Sequence, residues 1–312
     1  MIIMGKIMKK LLISLLVLSH VNAWAAPSHA SESAMNKAAP ESTPNTSNSS
    51  TADKMKDYVD KQDYKSAITL GEKEFNSSSF KKSADSKIAL YLGKAYFLKQ
   101  DYVKSVKYFE VAANKSEALA MLTLGNLYGS GVGVKQDYAK AVKWYKEAVD
   151  KGNVAAMNYL GLIYRDGVGG IPTNHKIAVE LFTKAAKLNS DQGFFNLGYM
   201  YQNGIGEKKN YKLAINNYVS AANLGNVLAM NNLAFMYEQG EGVKQNYHEA
   251  LNWYMLAAAK GDANAECSVG EYYFNGKGVK NNHIIAKSWF LRGQQHGCKI
   301  AGEYLAKIAS EK

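Results

Sequence analysis

Small and apolar residues fall at helical spacing twice within residues 226–261, NVLAMNNLAFMYEQGEGVKQNYHEALNWYMLAAAKG. Ala229, Leu233, Ala234 and Tyr237 share one face of a first helix. Ala250, Trp253, Tyr254, Ala257 and Ala258 share one face of a second, with alanines that let two backbones approach and aromatic rings that wedge between turns. Between them, Gly240-Glu241-Gly242-Val243 offers backbone angles closed to other residues. Asn246 stands where a side-chain oxygen caps the second helix, and Gly261 where a left-handed residue ends it. The pattern predicts a helical hairpin.

The hairpin recurs. Its first-helix small residue falls at Gly93, Gly125, Gly161, Gly198, Ala234, Gly270 and Ala306, in steps of 32, 36, 37, 36, 36 and 36. Three residues on stand Tyr96, Tyr128, Tyr164, Tyr201, Tyr237 and Tyr273. Second-helix pairs follow in register: Tyr108-Phe109, Trp144-Tyr145, Leu181-Phe182, Asn217-Tyr218, Trp253-Tyr254 and Trp289-Phe290. The expected caps, Asp101, Asp137, Asn174, Asn210, Asn246 and Asn282, are all Asp or Asn.

In these residues the chain resembles the Sel1-like repeat family, whose units read L-G-x-x-Y, then G-x-G-V, then D/N-x-x-x-A-x-x-W/Y and a closing A-A-x-x-x-G. The resemblance covers five units over residues 117–297, with residues 298–312 as a C-terminal capping helix. Residues 153–189 depart most, with the loop GVGGIP, Pro172 and Asn189 in place of the closing glycine. Upstream, Gly93 and Ser105 are 12 residues apart where Gly125 and Ala141 are 16, so the G-x-G-V loop is missing. Residues 53–116 therefore resemble tetratricopeptide repeats, with a further second helix at residues 63–75. The resemblance implies an all-α fold, a right-handed α/α superhelical solenoid of stacked hairpins.

Before the repeats, residues 1–25 carry lysines, an apolar run from Leu11 to Leu18 and Ala23-Trp24-Ala25, the three parts of a secretory signal cut near Ala26. Eight apolar residues are too few to span a bilayer, so no stable membrane span is expected after cleavage. Met8, opening MKKLLI, reads as a conventional start. No cysteine follows the apolar run to carry a lipid. Residues 26–52, rich in Ser, Ala, Thr, Pro and Asn, read as a disordered linker. These features predict a periplasmic or secreted protein.

Removing Lys6, Lys9 and Lys10 with the signal lowers the formal charge from +11 to +8. The basic residues are almost all lysines spread over helical positions, with Arg165 and Arg292 the only arginines, so nucleic acid is not the expected partner. Cys267 and Cys298, 31 residues apart, both read as first-helix residues. A disulfide is open to them, although the repeat register offsets them by five residues, about 7.5 Å of helix rise.

No H-E-x-x-H, C-x-x-C or G-x-S-x-G appears, and the G-x-G pairs follow helices and lack Gly-Lys-Ser/Thr, which makes them turns. His175, His248 and His283 read as helix-start residues, one per unit. No catalytic residue, metal site or cofactor is expected.

What remains is a surface. In a tetratricopeptide-like stack the first helices line the concave face. Positions three and two before the small residue, and one and four after it, point into the groove. These are Asn158, Tyr159, Leu162 and Arg165; Phe195, Asn196, Tyr199 and Gln202; and Asn231, Asn232, Phe235 and Glu238. Amides there suit the backbone of an extended peptide, and the rings supply apolar pockets. The resemblance implies a non-catalytic scaffold or adaptor in envelope assembly, cell-wall enzyme regulation or host contact. The alternative is a penicillin-hydrolysing enzyme of the kind proposed for cysteine-rich relatives, whose paired cysteines this chain lacks. Neither the partner nor the oligomeric state follows from the sequence.

Overall fold

A computed structural model describes residues 50–77 and 85–310, and every regular element among them is an α-helix. The expected signal, and all but the end of the expected linker, lie outside the described residues. The chain divides into two compact units, one running to Thr173 and the other from Asn174.

The first unit holds α1 (Thr51–Asp60), α2 (Tyr64–Phe75), α3 (Ser86–Leu98), α4 (Tyr102–Asn114), α5 (Ala118–Ser130), α6 (Tyr138–Asp150) and α7 (Val154–Asp166). The second holds α8 (His175–Lys187), α9 (Asp191–Asn203), α10 (Tyr211–Asn223), α11 (Val227–Gln239), α12 (Tyr247–Ala259), α13 (Ala263–Asn275), α14 (His283–Gln295) and α15 (Ala301–Ser310). Odd-numbered helices are the first helices of hairpins and even-numbered ones the second.

Each boundary has a local cause. Asp101, Asp137, Asn174, Asn210, Asn246 and Asn282 all precede a second helix, and each side chain accepts from a backbone N–H of its first turn. First helices α5, α7, α9, α11 and α13 end on Gly131, Gly167, Gly204, Gly240 and Gly276, all left-handed. Where the G-x-G-V loop is missing, the turns Lys61–Asp63 and Lys99–Asp101 each place a glutamine, Gln62 or Gln100, at positive φ instead. Asn189 takes the same conformation in place of the closing glycine, with φ 57°. The first helix starts at Thr51, ahead of residue 53, because Ser50 and Asp53 cap each other reciprocally.

Packing explains the small residues. A Cβ on Gly93 would stand 2.7 Å from Phe109, one on Gly125 2.5 Å from Tyr145, one on Gly198 2.6 Å from Tyr218 and one on Gly270 2.8 Å from Phe290. The ring of the second helix thus occupies the space the first helix leaves open. Phe109, Tyr218 and Phe290 are completely buried. Withdrawing each ring from water stabilises its hairpin by about 2–3 kcal/mol. Within the second unit, Tyr218, Ala221, Leu233, Ala234, Ala250, Tyr254, Ala257 and Tyr272 belong to one continuous core that passes from hairpin to hairpin.

Candidate interaction face of the first helices

In the second unit the first helices α9, α11 and α13 are bridged side by side. The Asn226 amide donates to Asp191 at 2.9 Å and Asn231 donates to Asp262 at 3.2 Å. Gln202, four residues after Gly198, donates to Glu241 at 3.0 Å. Glu238, four after Ala234, pairs with Lys277 at 3.0 Å. Glu241 and Lys277 are the middle residues of the next unit's G-x-G, so one helix position and one loop position repeatedly join neighbouring hairpins.

These bridges alter the expected groove. Gln202 and Glu238 are committed to neighbours, and Gln202 also accepts from the Tyr218 hydroxyl at 2.8 Å. Asn196 is buried at 6% exposure. Asn231 and Asn232 are half-buried, and the Asn232 amide meets the Tyr218 hydroxyl. Phe195 is half-buried against Tyr218, ring centroids 5.8 Å apart. In the first unit Asn158 and Tyr159 are buried at 3% and 6%, and Arg165 forms a two-pronged pair with Asp166 at 2.9 and 2.8 Å. The picture of one solvent-facing amide per unit is corrected accordingly: Asn158 and Asn196 are buried in the packing, and the Asn158 amide donates to the Val154 carbonyl of its own helix at 3.2 Å.

The position that does face outward is the one directly after the small residue. It carries Tyr199, 37% exposed, then Phe235, 44% exposed, then Glu271 on α13. No lysine or arginine occurs in α9, α11 or α13, although the chain has 38. Burial raises the Glu271 carboxyl above the ordinary range, Lys277 and Lys307 oppose this, and Glu238 and Glu303 add to it. Its carboxylate accepts no hydrogen bond from the described residues. Burial also holds the Tyr254 and Tyr272 hydroxyls, both near Glu238, well above the usual tyrosine range.

At the end of α14 a second cluster forms. Cys267 and Cys298 are joined in a disulfide, Cα–Cα 6.6 Å. Cys298 lies in the turn between α14 and α15 and not on a helix, which removes the expected axial offset. Glu266, completely buried, meets Arg292 at 2.5 Å and His296 at 2.8 Å. Sequence reasoning missed Glu266 because its partners lie 26 and 30 residues on, in the last turn of α14 and just beyond it, where no repeat motif marks them. His283 stacks on Phe274, centroids 4.6 Å apart, and Asn252 meets exposed His248 at 3.3 Å. Among the described residues, no group of three or more His, Cys, Asp and Glu is placed to hold a metal, and no helix is long and apolar enough to cross a membrane.

The Sel1 repeat model matches residues 83–117, 118–153, 154–190, 195–226, 227–262 and 263–293. It thus takes in the short-looped hairpin α3/α4 as well as the five units read from their motifs. Among solved structures, the chain is similar to a protective antigen of uropathogenic Escherichia coli displaying an SLR fold, with 31% identity over 77% of this chain and a TM-score of 0.70. The chain spans about half the length of that antigen, 51%. It is also similar to a Sel1 repeat protein from Oxalobacter formigenes, with 30% identity, 70% of this chain and 87% of that one covered, and a TM-score of 0.61. The C-terminal part of a TPR repeat-containing protein from Cytophaga hutchinsonii shares the fold at 17% identity, with 81% of this chain and 99% of that one covered and a TM-score of 0.51. No curated protein matched. Repeats matched along most of the sequence, carried by hairpins whose caps, turns and ring-on-glycine contacts follow the same register, show that the chain belongs to the Sel1 repeat family.

Proposed function

We propose that the chain is a non-catalytic scaffold, periplasmic or secreted, that holds a protein or an extended peptide on the face lined by α9, α11 and α13. Sel1 repeat proteins generally serve protein–protein interaction. One observation carries the assignment to this face. Tyr199 and Phe235, one repeat apart, stay open to solvent, while the other repeated rings among the described residues are buried or half-buried. Exposed aromatics in register are costly to leave in water and are typical anchors of binding surfaces. The secretory pattern of residues 1–25 supports export, and the disulfide fits an oxidising compartment. Such a scaffold would act in envelope assembly, regulation of cell-wall enzymes or host contact.

Crosslinking in intact cells followed by pull-down tests the reading. Changing Tyr199→Ala together with Phe235→Ala is expected to release the captured partner, while Lys143→Ala with Lys146→Ala on the exposed side of α6 leaves it bound. Loss of the partner through the lysine pair alone, in low salt, would replace the face with a charge-driven surface. Mass spectrometry should find the mature N-terminus near Ala26, and a retained N-terminus in a cytoplasmic fraction overturns export. Turnover of nitrocefin by the purified protein would overturn the non-catalytic assignment.

A further inference from the structure

Tyr199, Phe235 and Glu271 occupy one repeat position on three successive first helices, so they form a row with one member per hairpin. The row changes character along its length, from two exposed rings to a carboxylate. Its surroundings supply no competing cation from α9, α11 or α13 themselves. Lys277, the nearest loop cation, already pairs with Glu238, and Lys307 pairs with Glu303 at 2.7 Å. Neighbouring first helices, bridged through side chains, stand about one helix diameter, roughly 10–12 Å, apart, and an extended chain advances about 3.3 Å per residue, so one step of the row corresponds to about three residues of ligand.

We propose that this row docks an extended segment of a partner protein carrying two apolar side chains about three residues apart and, at the same spacing beyond them, a lysine or arginine. The inference rests on the scaffold reading and names the chemistry of its occupant. Apolar side chains cover Tyr199 and Phe235, and the basic side chain supplies the hydrogen bonds that Glu271 does not receive from the described residues. An arginine fits best, because its planar fork can engage both carboxylate oxygens at a half-buried site. Burial raises the proton affinity of Glu271 against the pull of Lys277 and Lys307, so a cation docked directly on the carboxylate would be favoured there.

Panning a phage-displayed library of random dodecapeptides on the mature full-length chain provides the probe. Recovered peptides are then titrated by fluorescence anisotropy against the parent, Glu271→Gln and the double variant Tyr199→Ala with Phe235→Ala. Recovered sequences should share the apolar, apolar, basic pattern, and Glu271→Gln should weaken them on the order of tenfold or more, as expected for losing a charge-assisted contact. Pairing Glu271→Arg with a peptide whose basic residue is replaced by Glu should restore binding, an outcome that a merely structural role would not give. Peptides without a basic residue that bind Glu271→Gln unchanged, yet are lost on the double variant, overturn the cationic occupant and leave the scaffold face standing. Peptides indifferent to the double variant overturn both. Recovery of no peptide overturns this inference.

Discussion

Tyr211, the first residue of α10, lies where a side chain on Gly242 of the following hairpin would have to stand. The relation is repeated between Gly278 and Tyr247, where a Cβ would stand 2.8 Å from the tyrosine backbone and Cβ alike, and between Gly206 and His175 at 2.7 Å. In the first unit Gly133 meets Tyr102 at 2.6 Å in the same way. The second glycine of each loop is therefore constrained twice, by a positive φ and by the neighbouring hairpin.

Gly240 and Gly242 have nearly the same φ, 73° and 74°, but a Cβ on Gly240 would meet Gln245 at 3.3 Å, whereas one on Gly242 would collide with Tyr211. Gly240→Val should cost about 1–2 kcal/mol from its backbone conformation alone. Gly242→Val should cost that and about 1–3 kcal/mol more from overpacking against Tyr211. Denaturant midpoints of the two variants check this, and equal midpoints would show that Tyr211 yields freely.

Arg292 and Glu266 should respond unequally to removal. Arg292→Met leaves a completely buried carboxylate with the His296 ring as its remaining partner, a loss on the order of 3 kcal/mol. Glu266→Gln leaves a half-exposed arginine that water can solvate, so about 1 kcal/mol is expected. Thermal melts that rank the two the other way round would remove the carboxylate from its place as the demanding member of the pair.

Reducing the Cys267–Cys298 bond with a dithiol should destabilise the C-terminal end by about 3 kcal/mol, given a sequence separation of 31. The change should appear first in α15, which buries Ala301 alone and otherwise rests Tyr304, Leu305 and Ile308 on the disulfide cluster. Hydrogen exchange with and without reductant reads it directly. Unchanged exchange in residues 301–310 contradicts the clamp.

Glu271 should carry a cost at neutral pH. Its folded-state proton affinity is raised, so between the ordinary glutamate range and the raised value the folded chain binds more protons than the unfolded one. Stability from this group is therefore present below the ordinary glutamate pKa and is lost as pH rises through the folded value. Glu271→Gln should be at least as stable as the parent at pH 7, with the advantage fading as the pH falls below the unfolded glutamate pKa. The facing groups are Glu238 on α11, Lys277 in the following loop, and Glu303 and Lys307 on α15. Urea melts of both proteins across pH 4–8 give the comparison.

Much of the architecture was legible because the repeat states its rules locally. An Asp or Asn at the start of a second helix, a glycine after a first helix and a ring opposite Gly198 each depend on a few neighbouring residues, and six or more copies leave little freedom in register. The outer face was less legible. Asn158 and Asn196 read as groove-facing amides for an extended peptide, yet depth in the stack decides where an amide points, and one-dimensional spacing contains no depth. Tyr199 and Phe235 emerged from the same slots as truly outward residues. Glu266 looked like any helix carboxylate until the last turn of α14 and the residue after it were folded against it. Cys298 was placed on a helix because the register continued through it, whereas the chain still turns there before α15 begins.

The bridges between Gln202 and Glu241 and between Glu238 and Lys277 bear on how such a chain can lengthen or shorten during evolution. Excising residues 227–262 would bring Asn226 directly before Ala263, keeping an N-cap of the right chemistry, and would set Gln202 opposite Lys277 in place of Glu241. The glutamine carbonyl can accept from the ammonium where its amide formerly donated to the carboxylate. Tyr211 would then meet Gly278, again a glycine. The seams are interchangeable, so whole units can be lost or duplicated by unequal recombination without leaving a broken junction, while an insertion of another length disturbs only the hairpin that receives it, as the extra residue of the GVGGIP loop leaves the later bridges intact.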